Sequence, residues 1–227
     1  MPSETSPGGE PSRPIRSWAR SSPGTHLWLA VIAVTSLVLA LSPDGFDTYL
    51  LHRNSSNLHQ LAHHPVRALL ASAFWIQDPG ALLFYAVLFE LFHAPVERWL
   101  GTPRWLFTVA TAHVVATLVS QQVVLFAITH HDVPRSMAHV VDIGVSYGLA
   151  ASVGILTYRL HGVLRWLYLA GAVAFFLAPL LADRTYTDLG HALSLAVGLA
   201  CYPLTRHPDG AGPDGKPFAP ERRSGAH

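Results

Sequence analysis

Between Thr25 and Leu204 the chain alternates long apolar runs with short polar breaks. A membrane-spanning helix needs ~20 mostly apolar residues, whereas runs of ~10–14 belong to buried helices of soluble proteins. Six stretches reach or approach the longer figure: Leu27–Ser42, Leu69–Ala94, Trp105–Ile128, His139–Tyr158, Gly162–Ala182 and Tyr186–Leu204. Gln77-Asp78-Pro79-Gly80 interrupts the second, which predicts an interfacial first part and a spanning part from near Ala81. Lipid cannot satisfy backbone N–H and C=O groups, so spans of this kind must be helices. The pattern therefore predicts an all-α membrane protein, a six-helix bundle over residues 25–204. Residues 1–24 and 205–227 are rich in Pro, Gly, Ser and charge and have almost nothing to bury, which predicts disordered tails. The loop Pro43–Ala68 is too long for a plain connection, and its mixture of polar and apolar residues predicts a segment folded on the membrane surface.

Composition sharpens this picture. Half the residues are hydrophobic and 13% are charged, too few to cover a water-facing surface. The net charge of +1, with no basic stripe interleaved with aromatics, argues against nucleic acid as a partner; the partner the chain requires is the lipid bilayer. One cysteine, Cys201, leaves no disulfide framework and no thiolate metal site. The run after Arg13, Arg16 and Arg20 is expected to stay as a helix rather than be cleaved as a leader, because five more spans follow. Basic residues near span ends stay cytoplasmic. With the N-terminus inside, the inner segments hold eleven Arg and Lys residues and the outer ones hold Arg53, Arg67, Arg135 and Arg184. Both termini are thus expected on the cytoplasmic side.

Small residues let membrane helices approach closely. Ser146, Ala150 and Gly154 are spaced four apart on the fourth span, and Gly190, Ser194 and Gly198 four apart on the sixth. If these rows pack, Ser146 and His191 become neighbours. They lie about seven and five residues into their spans, so each is ~8–11 Å deep at 1.5 Å per residue. A serine hydroxyl becomes a useful nucleophile when a histidine takes its proton as attack begins. The plain alternative is helix packing by Gly144 and its small neighbours, although an ionisable residue inside a membrane is a functional candidate by default. Asp188 precedes His191 by three residues and reads as a helix N-terminal charge favoured by the dipole, rather than as a third catalytic member; Asp142 reads similarly. Glu90 and His113 fall at comparable depth, which predicts a structural hydrogen bond between them. Glu97 and Arg98 are expected to anchor the inner loop. Histidine pairs His63-His64 and His130-His131 come without a Cys, HExxH or carboxylate cluster, so no metal and no cofactor is expected.

These residues resemble motifs of the rhomboid family of intramembrane serine proteases, in particular its divergent bacterial rhomboid-like members, over about Asn57–Tyr202. Pro65-x-Arg67-x-Leu69-x-x-Ser72-x-Phe74 resembles the segment leading into the second span. Val96-Glu97-Arg98-x-Leu100-Gly101 is similar to the Glu-Arg/Lys-x-x-Gly signature. Gly144-x-Ser146 stands in the place of Gly-x-Ser-Gly, and His191-x-x-Ser194-x-x-x-Gly198 in that of His-x-x-Gly-x-x-x-Gly. The resemblance implies a cell-membrane protein that hydrolyses the membrane-spanning segment of another protein, with Ser146 as nucleophile and His191 as general base and then acid. The family also carries a His and an Asn on the second span that help hold the oxyanion. Here those places hold Ala81 and Tyr85, the glycine after the nucleophile is Tyr147, and Ala150 stands where an aromatic often stacks on the histidine. The Tyr85 hydroxyl, the Tyr147 backbone N–H, or Gln121 and Gln122 are the available substitutes. Two readings stay open: an active protease, and a catalytically silent rhomboid-fold protein that binds transmembrane segments of partners. A small transporter or metal-handling membrane protein drawing on Glu90, His113 and the loop histidines is a third, without broken-helix pairs or inverted repeats to support it.

Overall fold

The structure, a computed structural model, describes residues 18, 20–182 and 185–206, and no strand occurs among them. Helix α1 spans Pro23–Ala40, and two short helices follow, α2 at Phe46–Arg53 and α3 at Leu58–His63. Another short helix, α4, covers Pro65–Ser72. The bundle continues with α5 at Pro79–Leu100, α6 at Thr102–Thr129, α7 at Val145–Leu156, α8 at Gly162–Ala182 and α9 at Tyr186–Ala200. The expected tails lie largely outside the described residues; at the inner boundary α1 already starts at Pro23, whose missing N–H costs nothing at a first helical position.

Four helices, α1, α5, α6 and α8, are long and apolar enough to cross a membrane. Helix α6, with 28 residues, is about 42 Å long, more than the hydrocarbon core requires. Helices α7 and α9, with 12 and 15 residues, are shorter than a spanning helix. The reason for α7 is its position. Ten of its twelve residues are buried, leaving Ser146 and Leu156 partly open, so protein rather than lipid surrounds it. The expected span from His139 is corrected accordingly: 135–139 is a 3-10 turn, 140–144 is irregular, and regular helix begins at Val145. Those irregular residues find partners at the end of α4 and in the loop between α2 and α3, with Gly144 N–H donating to Ser72 O at 3.1 Å and Ser56 N–H to Asp142 O at 2.9 Å. Non-helical backbone within a membrane is tolerated only where protein satisfies it.

The interruption before α5 is also seen, as Leu69–Ser72 belongs to α4 and Asp78 caps the 3-10 turn that opens α5. Within α5 a π-turn at Phe89–His93 precedes Pro95, which has no N–H to continue the regular ladder. The extra residue turns His93 into the core, where its Nδ1 accepts from Ser152 Oγ at 2.8 Å and Trp105 Nε1 at 3.1 Å. Glu90 faces α1 instead, with its Oε1 3.0 Å from His26 Nε2. The expected Glu90–His113 bond is therefore absent: His113 Nε2 lies 2.8 Å from Leu69 O and 3.4 Å from Ser72 Oγ. The π-turn rotates the face of α5, a local change that average helical periodicity does not carry.

At the end of α5, Glu97 takes four hydrogen bonds. Its Oε1 accepts from Gly24 N–H at 2.8 Å and Thr102 Oγ1 at 2.7 Å, and its Oε2 from Thr25 N–H and Thr25 Oγ1, both at 2.7 Å. A carboxylate thus satisfies the open N–H groups at the start of α1, where the helix dipole also favours negative charge. Gly101 follows with φ +81°, a left-handed turn that swings the chain directly into α6. The outward faces are apolar: Leu83, Leu106, Phe107, Trp166 and Leu167 are all more than half exposed. In water such a surface would aggregate; against lipid it is the expected boundary.

Candidate active site

The site forms where the first turn of α7 meets the second turn of α9. Ser146 Oγ and His191 Nε2 are 2.8 Å apart, with the hydroxyl placed to donate to the imidazole. The rows of small residues below them explain how the two helices come so close. A Cβ built on Gly154 would lie 2.6 Å from Leu195 O, and one on Gly198 only 2.1 Å from Ala151 O. Ala150 and Ser194 are fully buried in the same seam. Backbone meets backbone there, so glycine is required for space.

The upper end of the seam is built differently. Gly190 does not face Ser146; it makes room for the Tyr147 ring, whose atoms would lie 2.6 Å from a Cβ at that position. The buried ring meets the His191 imidazole edge-on, with centroids 5.4 Å apart. Its hydroxyl donates to Asp142 Oδ1 at 3.1 Å. Gly144 likewise leaves space for the His113 ring, 2.0 Å from where its Cβ would be.

Asp142 is a junction rather than a surface charge. Buried to 3% exposure, it accepts from Gln121 Nε2 at 2.9 Å, Tyr147 hydroxyl at 3.1 Å and Ser56 Oγ at 3.2 Å, while its own N–H donates to Ser55 Oγ at 2.8 Å. The loop between α2 and α3, the middle of α6 and the start of α7 are thereby held to one carboxylate. This corrects the view of Asp142 as a helix-end charge. The one signal in the sequence is an acid one turn before Ser146; beside Tyr147, its partners Gln121, Ser56 and Ser55 come from 21 to 87 residues away.

Of the substitutes for the oxyanion donors, Gln121 is committed to Asp142, and Gln122 lies exposed beside Leu118, Val119 and Phe126 on the outside of α6. The Tyr147 N–H donates to Gly144 O at 3.1 Å. The N–H groups of Val145 and Ser146, at the start of the helix, have no acceptor among the described residues. Ala81 ends the 3-10 turn and does not reach the site. Tyr85 does: it lines the same cavity as Ser146 and His191. Asp188 shares a reciprocal cap with Thr185, whose hydroxyl donates to its carboxylate and accepts from its N–H at 3.1 Å. No carboxylate hydrogen-bonds His191 among the described residues; its side-chain partner is Ser146 Oγ.

That cavity measures about 1010 Å³ and is walled by α5, α7, α8 and α9. Leu88, Phe92, Leu149, Phe175 and Phe176 make it almost wholly apolar, with Ser146, His191, Tyr85 and Asp188 among its few polar members. Helix α8 makes a loose wall, since Ala172 is its one buried residue and Pro179 removes a hydrogen bond near its end.

No group of three or more His, Cys, Asp or Glu residues suited to a metal occurs among the described residues. Comparison with curated proteins and with solved structures gives no match. A family profile described as rhomboid-like protein matches residues 17–211, nearly the whole of the bundle and most of the chain. Together with the four membrane-crossing helices, that match makes this chain an integral membrane protein of the rhomboid-like family.

Proposed function

We propose that the chain is an intramembrane serine protease that cleaves a membrane-spanning segment of another protein. The observation that carries the reading is the 2.8 Å contact between Ser146 Oγ and His191 Nε2 on the wall of a large apolar cavity. Ser146 Oγ attacks the scissile carbonyl carbon while its proton passes to His191 Nε2. The oxyanion that forms is held by the Ser146 N–H at the helix start and by the Tyr85 hydroxyl. His191 then returns the proton to the leaving amine as the C–N bond breaks. Water, activated by the same imidazole, releases the acyl group from Ser146. No cofactor takes part. The apolar walls suit the side chains of a lipid-embedded segment, with Ser146 and His191 as a polar pair on them.

The same reading counts six crossings of the cell membrane. Flanking 3-10 turns at Thr157–Arg159 and Tyr202–Thr205 extend the two short helices, and the arginine distribution supports a cytoplasmic side for both termini. Ser146 and His191 then stand near the outer face, within reach of water.

A second reading is favoured by one feature. Helix α5 offers the cavity Tyr85 alone where the family carries a His and an Asn, which suits a silent protein that binds transmembrane segments. Labelling with a fluorophosphonate probe in detergent separates the two. The wild type is expected to label, and Ser146→Ala and His191→Ala to lose it. An unlabelled wild type beside a reactive rhomboid control would end the protease reading and leave segment binding.

A further inference from the structure

We propose that a second cavity, between α2, α3 and α4, binds a phosphate-bearing anion at the membrane surface. This cavity, of about 290 Å³, is distinct from the serine–histidine site and independent of what that site does. Helix α2 contributes His52 and Arg53, α3 contributes His59 and His63, and the start of α4 contributes His64 and Arg67. The remaining members, Tyr49 and Gln60, are uncharged donors and acceptors. Among the described residues no acidic side chain lines it; Asp47, the one carboxylate on the three helices, does not reach it.

Both arginines have donors to spare. Arg53 Nη1 contacts only the Tyr49 hydroxyl, at 3.2 Å, and Arg67 Nη2 the Gln60 side-chain oxygen, at 2.6 Å. Arg67 Nε is buried and has no hydrogen-bond partner among the described residues. Neither guanidinium meets a carboxylate among the described residues, where the one ion pair is His26–Glu90. A buried cationic donor left unpaired is costly, and a tetrahedral oxyanion is the partner that a guanidinium fork fits best.

The histidines make the site sensitive to pH. Partial desolvation, with His139, His63 and His64 close by, holds His59 below the ordinary imidazole value. The His59 ring lies 4.6 Å, centre to centre, from both His63 and His139. A folded-state value below the ordinary one means that desolvation first, and then the neighbouring imidazoles, disfavour the charged form of His59; an anion beside it reverses that. Proton uptake and anion binding therefore favour each other, and binding tightens as pH falls below the imidazole range.

Position favours a lipid headgroup as the source. Val66 and Leu70 on α4 flank Arg67 and are 68% and 63% exposed, while Phe46 and Tyr49 stack beside the cavity with centroids 5.8 Å apart. Apolar and aromatic side chains around an arginine are the arrangement found at the headgroup level of a bilayer.

The test is a titration of the purified full-length protein in detergent with short-chain phosphatidylglycerol, with diacylglycerol lacking phosphate, and with inorganic phosphate. Saturable binding of phosphatidylglycerol but not diacylglycerol is expected, tighter at pH 5.5 than at pH 7.5. Arg67→Gln and Arg53→Gln should each weaken it by about tenfold. Arg53 is exposed and holds no other element, so its variant reads the site even where Arg67→Gln disturbs the loop. Equal competition by inorganic phosphate would identify a free anion as the ligand, and no competition the lipid. Binding absent from both phosphate arms, or unchanged in Arg53→Gln and across pH, would overturn the proposal.

Discussion

Adding one methyl group to the seam between α7 and α9 should disable the site from two helical turns away. In Gly198→Ala the new Cβ would stand 2.1 Å from Ala151 O and 2.8 Å from the Ala151 carbonyl carbon. Both obstacles are backbone atoms of a buried helix, so no side chain can swing aside. Reaching even the 3.0 Å limit of real Cβ contacts requires the helices to part by 0.9 Å. Helices move as rigid units, so the same displacement carries to the first turn of α7. The 2.8 Å contact between Ser146 and His191 then opens to roughly 3.7 Å, beyond hydrogen-bond reach. A misplacement of ~1 Å can cost about 10²-fold in rate, and overpacking costs about 1–3 kcal/mol in stability. The assay is the rate of fluorophosphonate labelling, paired with a thermal melt in the same detergent. Leu167→Ala, on the exposed face of α8, serves as the control. A Gly198→Ala protein that labels at the wild-type rate and melts at the wild-type temperature would refute the rigid-seam argument.

Three further substitutions probe what surrounds that seam. Glu97→Ala leaves the donors of Gly24, Thr25 and Thr102 without their shared carboxylate, and should cost about 3 kcal/mol in denaturant unfolding. Asp142→Asn replaces one acceptor oxygen with an N–H₂ group, which then faces either Gln121 Nε2 and Ser56 Oγ, the two donors to Oδ2, or the Tyr147 hydroxyl, the donor to Oδ1; a loss of about 2 kcal/mol is expected, with slower labelling because the start of α7 is released. Tyr147→Phe keeps the ring over Gly190 and removes one hydrogen bond to Asp142. It should cost about 1 kcal/mol and leave labelling within a few-fold of wild type, so abolished labelling would mean that the hydroxyl acts in the chemistry.

Hydropathy alone made much of the architecture legible. Lipid imposes one strong rule, that backbone polar groups pair within the segment, so long apolar runs declare themselves as helices. The α8 boundaries, Gly162–Ala182, coincide with the apolar run, and the polar break at Gln77–Gly80 separates α4 from α5. The rule weakens where protein replaces lipid. Helix α7 is wrapped on nearly every side, so its apolar character extends into residues 139–144 that are not regular helix.

The sequence by itself determined the helical membrane class, the family and the short list of polar residues inside the bundle, because each is written in composition, spacing or motif. Pairing among those residues was decided only by tertiary structure. Glu90 and His113 match in depth, yet the π-turn aims one at His26 and packing sends the other to Leu69 and Ser72. Gln121 and Gln122 are adjacent in sequence, but helical rotation sends one to Asp142 and the other outward. The four residues that feed Asp142, and the ring of Tyr147 filling the space above Gly190, have no local signature. A motif names side chains; a distance of 2.8 Å between Ser146 and His191 exists only because backbones elsewhere, at Gly154 and Gly198, can touch.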